Sequence, residues 1–235
     1  MDKIEIIAEI GQNHNGDMVL AQELIHAALE SGADVLKFQL YDAKKLFPKE
    51  NNEWYDYNCK TELTKVQLCQ LFEECKKTGV EFLASVFDEM RVGWLEEVGV
   101  KRYKVASRSI DDKSLIGKIC DTGKPVIVSL GMWSDATFPI IPTLARVDYL
   151  YCISKYPAPL EDVHLSLVDF SKYAGFSDHT EGIHSAMAAL ARGAHIIEKH
   201  FTLDKKMYGP DHSCSMIPRE LKLLDNFRKD LVKIL

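Results

Sequence analysis

The chain has 235 residues, 46% of them hydrophobic and 27% charged, so it can bury a large core and is neither disordered nor fibrous. Its 29 Lys and Arg against 35 Asp and Glu leave a formal net charge of −6, and no basic run stands out, which argues against nucleic acid as a main partner. No apolar run approaches the roughly 20 residues of a membrane span, and Glu5 and Glu9 interrupt the apolar stretch that a secretory signal needs. Six dispersed cysteines without a C-x-x-C pair read as reduced thiols, with Cys214 as a small buried hydrophobe. A cytoplasmic protein with no membrane partner is the expectation.

In chain order, strands are predicted at Ile4–Ile10, Val35–Leu40, Glu81–Phe87, Arg102–Ala106, Pro125–Leu130, Val147–Ile153, Tyr173–Phe176 and His195–His200. Several are nearly continuous apolar runs, as in parallel strands buried on both faces. Helices are predicted between them. One is capped by Asp17 and runs to Ser31, stopping at Gly32; others cover Thr64–Thr78, Asp88–Val98, Asp111–Thr122, Glu181–Arg192 and Pro218–Leu235. Lys44–Glu62 reads as a long polar and aromatic loop. Pro139 and Pro142 fall inside Ser134–Arg146, where a short, broken helix is expected. Eight βα units with no G-x-G-x-x-G after the first strand predict one domain over 1–235, an α/β (β/α)8 TIM barrel.

Active sites of such barrels lie at the C-terminal strand ends. There the sequence places Glu9, Lys37, Gln39, Ser85, Lys104, Ser107, Ser129, Ser154, Tyr156, Ser177, His179, Glu198 and His200, with Asp211 in the loop beyond. Residues two apart share a strand face, so Lys37 pairs with Gln39 and Glu198 with His200. Lys37 and Lys104 with Ser85, Ser107 and Ser129 make a candidate anion pocket. His179 and His200 end the last two strands and, with a nearby carboxylate, suit a divalent transition metal. The plainer reading of either lysine is a buried ion pair with Glu9 or Glu198. His26, His164, His184 and His195 are expected to be structural.

Several segments appear in a characteristic order: Ala8–Gly16 (AEIGQNHNG), Lys37–Gln39 (KFQ), Tyr103–Ser107 (YKVAS), Ser129–Met132 (SLGM), Cys152–Pro157 (CISKYP), Ser177–His179 (SDH), Glu198–Phe201 (EKHF) and Gly209–Ser213 (GPDHS). The series resembles the sialic acid synthase family, which includes legionaminate and pseudaminate synthases. The resemblance implies a transferase that condenses phosphoenolpyruvate with an N-acylated mannosamine-type hexose to give a nonulosonic acid and phosphate. It implies Mn2+, with Mg2+ or Co2+ as substitutes, on His179 and His200. It places phosphoenolpyruvate at Lys37, Ser85, Lys104, Ser107, Ser129, Ser154 and Ser177, and the sugar at Gln39, Tyr156 and Asp211, with Glu9 near the reacting centre and able to position or deprotonate the attacking water. A homodimer is also implied.

Three departures from the family pattern stand out. The chain is expected to carry the barrel without the family's C-terminal antifreeze-like domain, leaving a separate protein of that type as a possible partner. Tyr151 stands where His often precedes the Cys of the sixth strand, and the fifth crossover is short. Two other readings remain open on the residues alone. One is another phosphoenolpyruvate-dependent 3-deoxy sugar acid synthase; the other is a non-catalytic barrel that binds sugar phosphates.

Overall fold

The computed structural model describes residues 3–235. Eight strands close into a barrel in sequence order: β1 (Glu5–Gly11), β2 (Val35–Leu40), β3 (Glu81–Val86), β4 (Tyr103–Val105), β5 (Val126–Ser129), β6 (Val147–Cys152), β7 (Gly175–Asp178) and β8 (Ile196–His200). Every neighbouring pair is parallel, and β1 pairs with β8 to close the ring. This is the (β/α)8 architecture expected from the alternation of elements.

Side-chain alternation divides the strands between two cores. Ile7, Val35, Leu83, Ile127, Leu150, Ala174 and Ile196 form an apolar plug inside the barrel. The opposite parity, including Ile6, Ala8, Ile10, Leu36, Phe38, Val105 and Ile197, packs outward under the helices. Two residues beyond the plug on most strands stands a polar residue, and those polar residues make the site described below.

The helices form where local signals start and stop them. Asp17 accepts from Val19 N and Leu20 N at the start of α1 (Met18–Ser31). Thr64 and Gln67 make a reciprocal capping box on α4 (Lys65–Thr78). Asp88 caps α5 (Glu89–Val98) and Asp112 caps α6 (Lys113–Cys120). The last two helices are α7 (His184–Ala191) and α8 (Pro218–Ile234). Among the described residues no helix is long and apolar enough to cross a membrane.

The structure departs from the sequence expectations in four places. The expected loop 44–62 contains two short helices, α2 (Ala43–Leu46) and α3 (Tyr55–Lys60). Asp42 caps α2 through Lys45 N, and α3 is pinned by Tyr57, whose hydroxyl donates to Asn15 Oδ1 at 2.6 Å. The fifth crossover, 134–146, holds no helix. Pro139 and Pro142 disrupt helical hydrogen bonding, and Phe138 fills the space instead, its ring 4.8 Å from Tyr149 and 4.6 Å from Tyr173. The sixth crossover has only two 3-10 turns, Leu160–Asp162 and Leu165–Leu167. β7 begins at Gly175 rather than Tyr173, because its pairing with β6 and β8 starts there while Tyr173 turns into the aromatic cluster.

The first and last units are joined by one buried guanidinium. Arg228 of α8 donates to the carbonyls of Ile4 (3.0 Å) and Gly32 (2.8 Å), to Asp225 Oδ1 (2.9 Å) and to Asp34. Asp34 in turn accepts from Ile6 N of β1 at 2.9 Å. Burial alone would raise the Asp225 carboxyl, but hydrogen bonds from Lys229 and Arg228 outweigh it and hold it below the usual aspartate range. Removing the Asp225 charge leaves the buried Arg228 with Asp34 as its one counter-charge and takes the partner of Lys229 away. Asp225→Asn is therefore expected to lower unfolding free energy by about 3 kcal/mol at pH 7, read by urea denaturation. Because the folded carboxyl is depressed, its contribution is complete above roughly pH 4 and is lost as the pH falls further. The stability of the Asn variant should fall less steeply than wild type through that acid range.

Candidate active site

The polar layer above the plug is a ring of strand-end side chains around a cavity of about 60 Å³. Lys37 Nζ lies 2.6 Å from Glu9 Oε2, 3.0 Å from Ser85 Oγ and 3.6 Å from Glu198 Oε2. Lys104 Nζ lies 2.7 Å from Ser129 Oγ and 3.5 Å from Glu198 Oε1. Ser177 donates to Glu198 Oε1 at 2.9 Å, and Gln39 Nε2 donates to Glu9 Oε1 at 3.1 Å. All four charged side chains are buried. Both readings of the lysines thus hold together: they are paired with Glu9 and Glu198, and they face the cavity.

The electrostatics of the ring are uneven. Burial raises the Glu198 carboxyl, but Lys104 and Lys37 outweigh it and keep it below the usual range, so it carries the firm negative charge. Burial dominates at Glu9 and pushes it up to about 7, against the pull of Lys37. Burial also lowers Lys104, with Lys37 adding repulsion that Glu198 only partly offsets. Lys37 is held above the usual lysine range because Glu198 and Glu9 overcome the cost of its burial. Two ammonium groups against one firm and one labile carboxylate make the cavity receptive to anions.

His179 and His200 stand at one side, with ring centroids 5.6 Å apart. His179 Nδ1–H donates to the Ile153 carbonyl at 2.8 Å, which leaves Nε2 as the acceptor nitrogen. His200 Nδ1 is buried without a hydrogen-bond partner; the nearest carboxylate oxygen is Asp211 Oδ2 at 3.9 Å. Burial, with His179 and Lys37 adding to it, holds His200 well below the usual histidine range, hence as a neutral imidazole. Among the described residues no group of three or more His, Cys, Asp or Glu side chains converges. Burial lowers His179, but Cys152 and the Ile153 carbonyl outweigh it and hold it above the usual histidine range. The neutral His200 with its unsatisfied buried nitrogen, beside His179 Nε2, fits a divalent ion that keeps open positions for water or substrate.

Gln39, Phe87, Ala106, Ser107, Tyr156 and His200 also line a wider outer cavity of about 550 Å³. Ser154 and Asp211 lie on its wall and not on the inner one. Ser107 Oγ accepts from Gly131 N at 3.0 Å. Trp54 lines the outer cavity and packs on Tyr57 and Tyr208, the three ring centroids lying 5.3–5.8 Å apart. Gln12 is buried against Asn58 Oδ1 (3.0 Å) and Tyr41 Oη (2.7 Å).

Some lining residues escape the sequence reading. Cys152 reaches the inner cavity, with Sγ 3.7 Å from His179 Nδ1; its parity with Leu150 on β6 is the signal that would have found it. Asn58 and Arg108 reach the outer one from segments without strand periodicity, so no local signal marks them, whereas Trp54 comes from the aromatic loop that the sequence sets apart. The four histidines expected to be structural line neither cavity; His26, for one, meets Glu74 at 3.1 Å on the outer surface.

Comparison with known proteins agrees with this geometry. The model of the NeuB family matches residues 24–234. The chain belongs to the NeuB family. It is 39% identical over 251 residues to the N,N'-diacetyllegionaminic acid synthase of Campylobacter jejuni, covering 95% of this chain and 75% of that protein. A crystal structure of the N-acetylneuraminic acid (sialic acid) synthetase from Leptospira borgpetersenii superposes with a TM-score of 0.91 at 34% identity, over 99% of this chain and 85% of that one. A truncated 3-deoxy-D-arabino-heptulosonate 7-phosphate synthase from Thermotoga maritima, 18% identical with a TM-score of 0.70, shares the fold.

The entrance to the site rests on Gly11, where the β1–β2 pairing shifts register and φ is +53°. A Cβ there would sit 2.9 Å from Glu9 Oε1 and 3.2 Å from Gln39 Nε2. Gly79 has a similar φ, +78°, with nothing within 4 Å. Gly79→Ala is expected to carry only the backbone penalty of about 1–2 kcal/mol. Gly11→Ala adds displacement of Glu9 and Gln39, so urea denaturation should find it the less stable of the two.

Proposed function

We propose that the chain condenses phosphoenolpyruvate with an N-acylated mannosamine-type hexose, giving a nonulosonic acid of the sialic type and inorganic phosphate. Membership of the NeuB family supports the reaction class. The single observation that carries the assignment to this site is the pair of buried lysines, Lys37 and Lys104, sharing Glu198 at the wall of one polar cavity.

In this reading Lys37 and Lys104 take the phosphate and carboxylate of phosphoenolpyruvate, and Ser85, Ser129 and Ser177 turn their hydroxyls to its oxygens. Ser107 and Ser154 extend that shell toward the outer cavity. The sugar lies beyond, against Gln39, Tyr156 and Asp211, with its aldehyde toward the shared wall. Carbon 3 of the enol attacks the aldehyde carbon, and the carbonyl oxygen takes the proton of Glu9 to become a hydroxyl. Water adds at carbon 2, one of its protons passing to the Glu9 carboxylate, which at about 7 is suited to give and take a proton near neutral pH. The C–O bond to phosphate then breaks, the remaining hydroxyl proton leaves with phosphate, which departs against the two ammonium groups, and carbon 2 becomes a ketone. His179 and His200 would hold a divalent ion, Mn2+ or in its place Mg2+ or Co2+, which when bound supplies electrophilic polarisation of the aldehyde oxygen. A homodimer and a cytoplasmic location accompany this reading, supported by the family resemblance and by six free cysteines.

The test is phosphate release from phosphoenolpyruvate by Mn2+-loaded protein with a panel of N-acylated hexosamines. Release that depends on the sugar is expected; none with any member of the panel overturns the reading. Lys104→Met should lower kcat/KM by about 100-fold or more, as loss of one charge-stabilising donor does. His200→Ala should lose bound Mn2+ by calorimetry while keeping its circular dichroism, and a chelator should abolish the wild-type rate until the metal is restored.

A further inference from the structure

Arg108 belongs to the 3-10 turn Ser107–Ser109, immediately after β4. Its neighbour Ser107 lines both cavities, whereas Arg108 lines only the outer one, which the buried lysines do not reach. Its guanidinium lies over the Phe47 ring, 5.2 Å from the centroid, and donates to the Leu46 carbonyl at 3.3 Å. The end of α2 therefore holds it in place. Arg91, Arg102, Arg146 and Arg228 each meet a carboxylate. Arg108 has none within 4.0 Å among the described residues. Apart from the neutral His200, it is the one basic side chain on the outer wall, and the acid there, Asp211, lies beside His200. A guanidinium resting on an aromatic ring keeps donors available for a bidentate anionic partner, and no carboxylate of this chain takes that place among the described residues.

We propose that Arg108 is a specificity-determining residue that reads an anionic group on the acceptor sugar, at the end remote from the aldehyde. The inference rests on the reading above, in which the aldehyde sits at the wall shared by the two cavities. A sugar placed so points its terminal carbon outward, toward Phe47 and Arg108. A phosphate ester or a carboxylate at that carbon supplies the missing partner; a neutral hydroxyl leaves the guanidinium unpaired.

Three acceptors distinguish these chemistries: N-acetylmannosamine, its 6-phosphate and the corresponding 6-carboxylate (uronic acid). The 6-phosphate or the 6-carboxylate is expected to exceed the neutral sugar in kcat/KM by about ten- to a hundredfold, the weight of one charge-assisted pair. Arg108→Ala should bring that ratio to within about twofold, and Arg108→Lys, which keeps the charge but not the fork, should restore part of it. Equal use of all three acceptors, or an unchanged ratio in the Ala variant, overturns the assignment. Calorimetric binding of the same three sugars to wild type and Arg108→Ala measures the same preference without turnover. If no acceptor releases phosphate, the synthase reading fails, while the presence or absence of an Arg108-dependent affinity difference still decides the role of this residue.

Discussion

Two lysines and two glutamates face one another inside a barrel whose lower half is sealed by aliphatic side chains. Water screens such charges poorly, so they are tolerable only because each ammonium finds an oxygen and each carboxylate a donor. Glu198 meets both Lys37 and Lys104, and Glu9 meets Lys37. The remainder of the site is arranged around that requirement. Ser85, Ser129 and Ser177 add hydrogen bonds to these charges, Gln39 steadies Glu9, and Gly11 leaves room for the Glu9 carboxylate. In the proposed reaction a small dianion would replace carboxylate partners with its own oxygens, so the charges that pair inside the barrel would be the same ones that bind substrate.

The two cavities divide the chemistry by polarity and depth. The inner one is narrow, charged and made by strands, whose positions the barrel holds rigidly. The outer one is wide, lined by amides, aromatics and one guanidinium, and made by loops and short helices. This separation suits a reaction between a compact anion common to many acceptors and a larger sugar that varies, since loop residues can change without disturbing the ring of strand ends.

Much of the site was readable because a barrel strand converts sequence parity into direction. Lys37 and Gln39 had to share a face, as did Glu198 and His200, and all four reach the cavity wall. The fold followed from the same regularity, with eight βα units and a glycine or polar cap at most helix ends. Lys199 shows the other side of the rule. It lies between Glu198 and His200 in the chain, yet its ammonium turns outward to Asp178 Oδ2 at 3.1 Å and the Thr180 carbonyl at 2.5 Å, where it ties β7 to β8. Composition alone would have counted it with the other lysines.

Periodicity and residue type were enough to set the barrel, its inward-facing polar ring and the two terminal histidines, because these depend on spacing along single strands. The tertiary structure alone decided which charges pair, that Ser154 and Asp211 belong to the outer cavity, that α2 and α3 fold within an apparent loop, and that Arg108 rests on Phe47. Those facts depend on contacts between segments distant in sequence, as between Tyr57 and Asn15 or Arg228 and Asp34. Such contacts leave no period in the chain. They arise only when the ring closes and brings the ends of different strands to one rim.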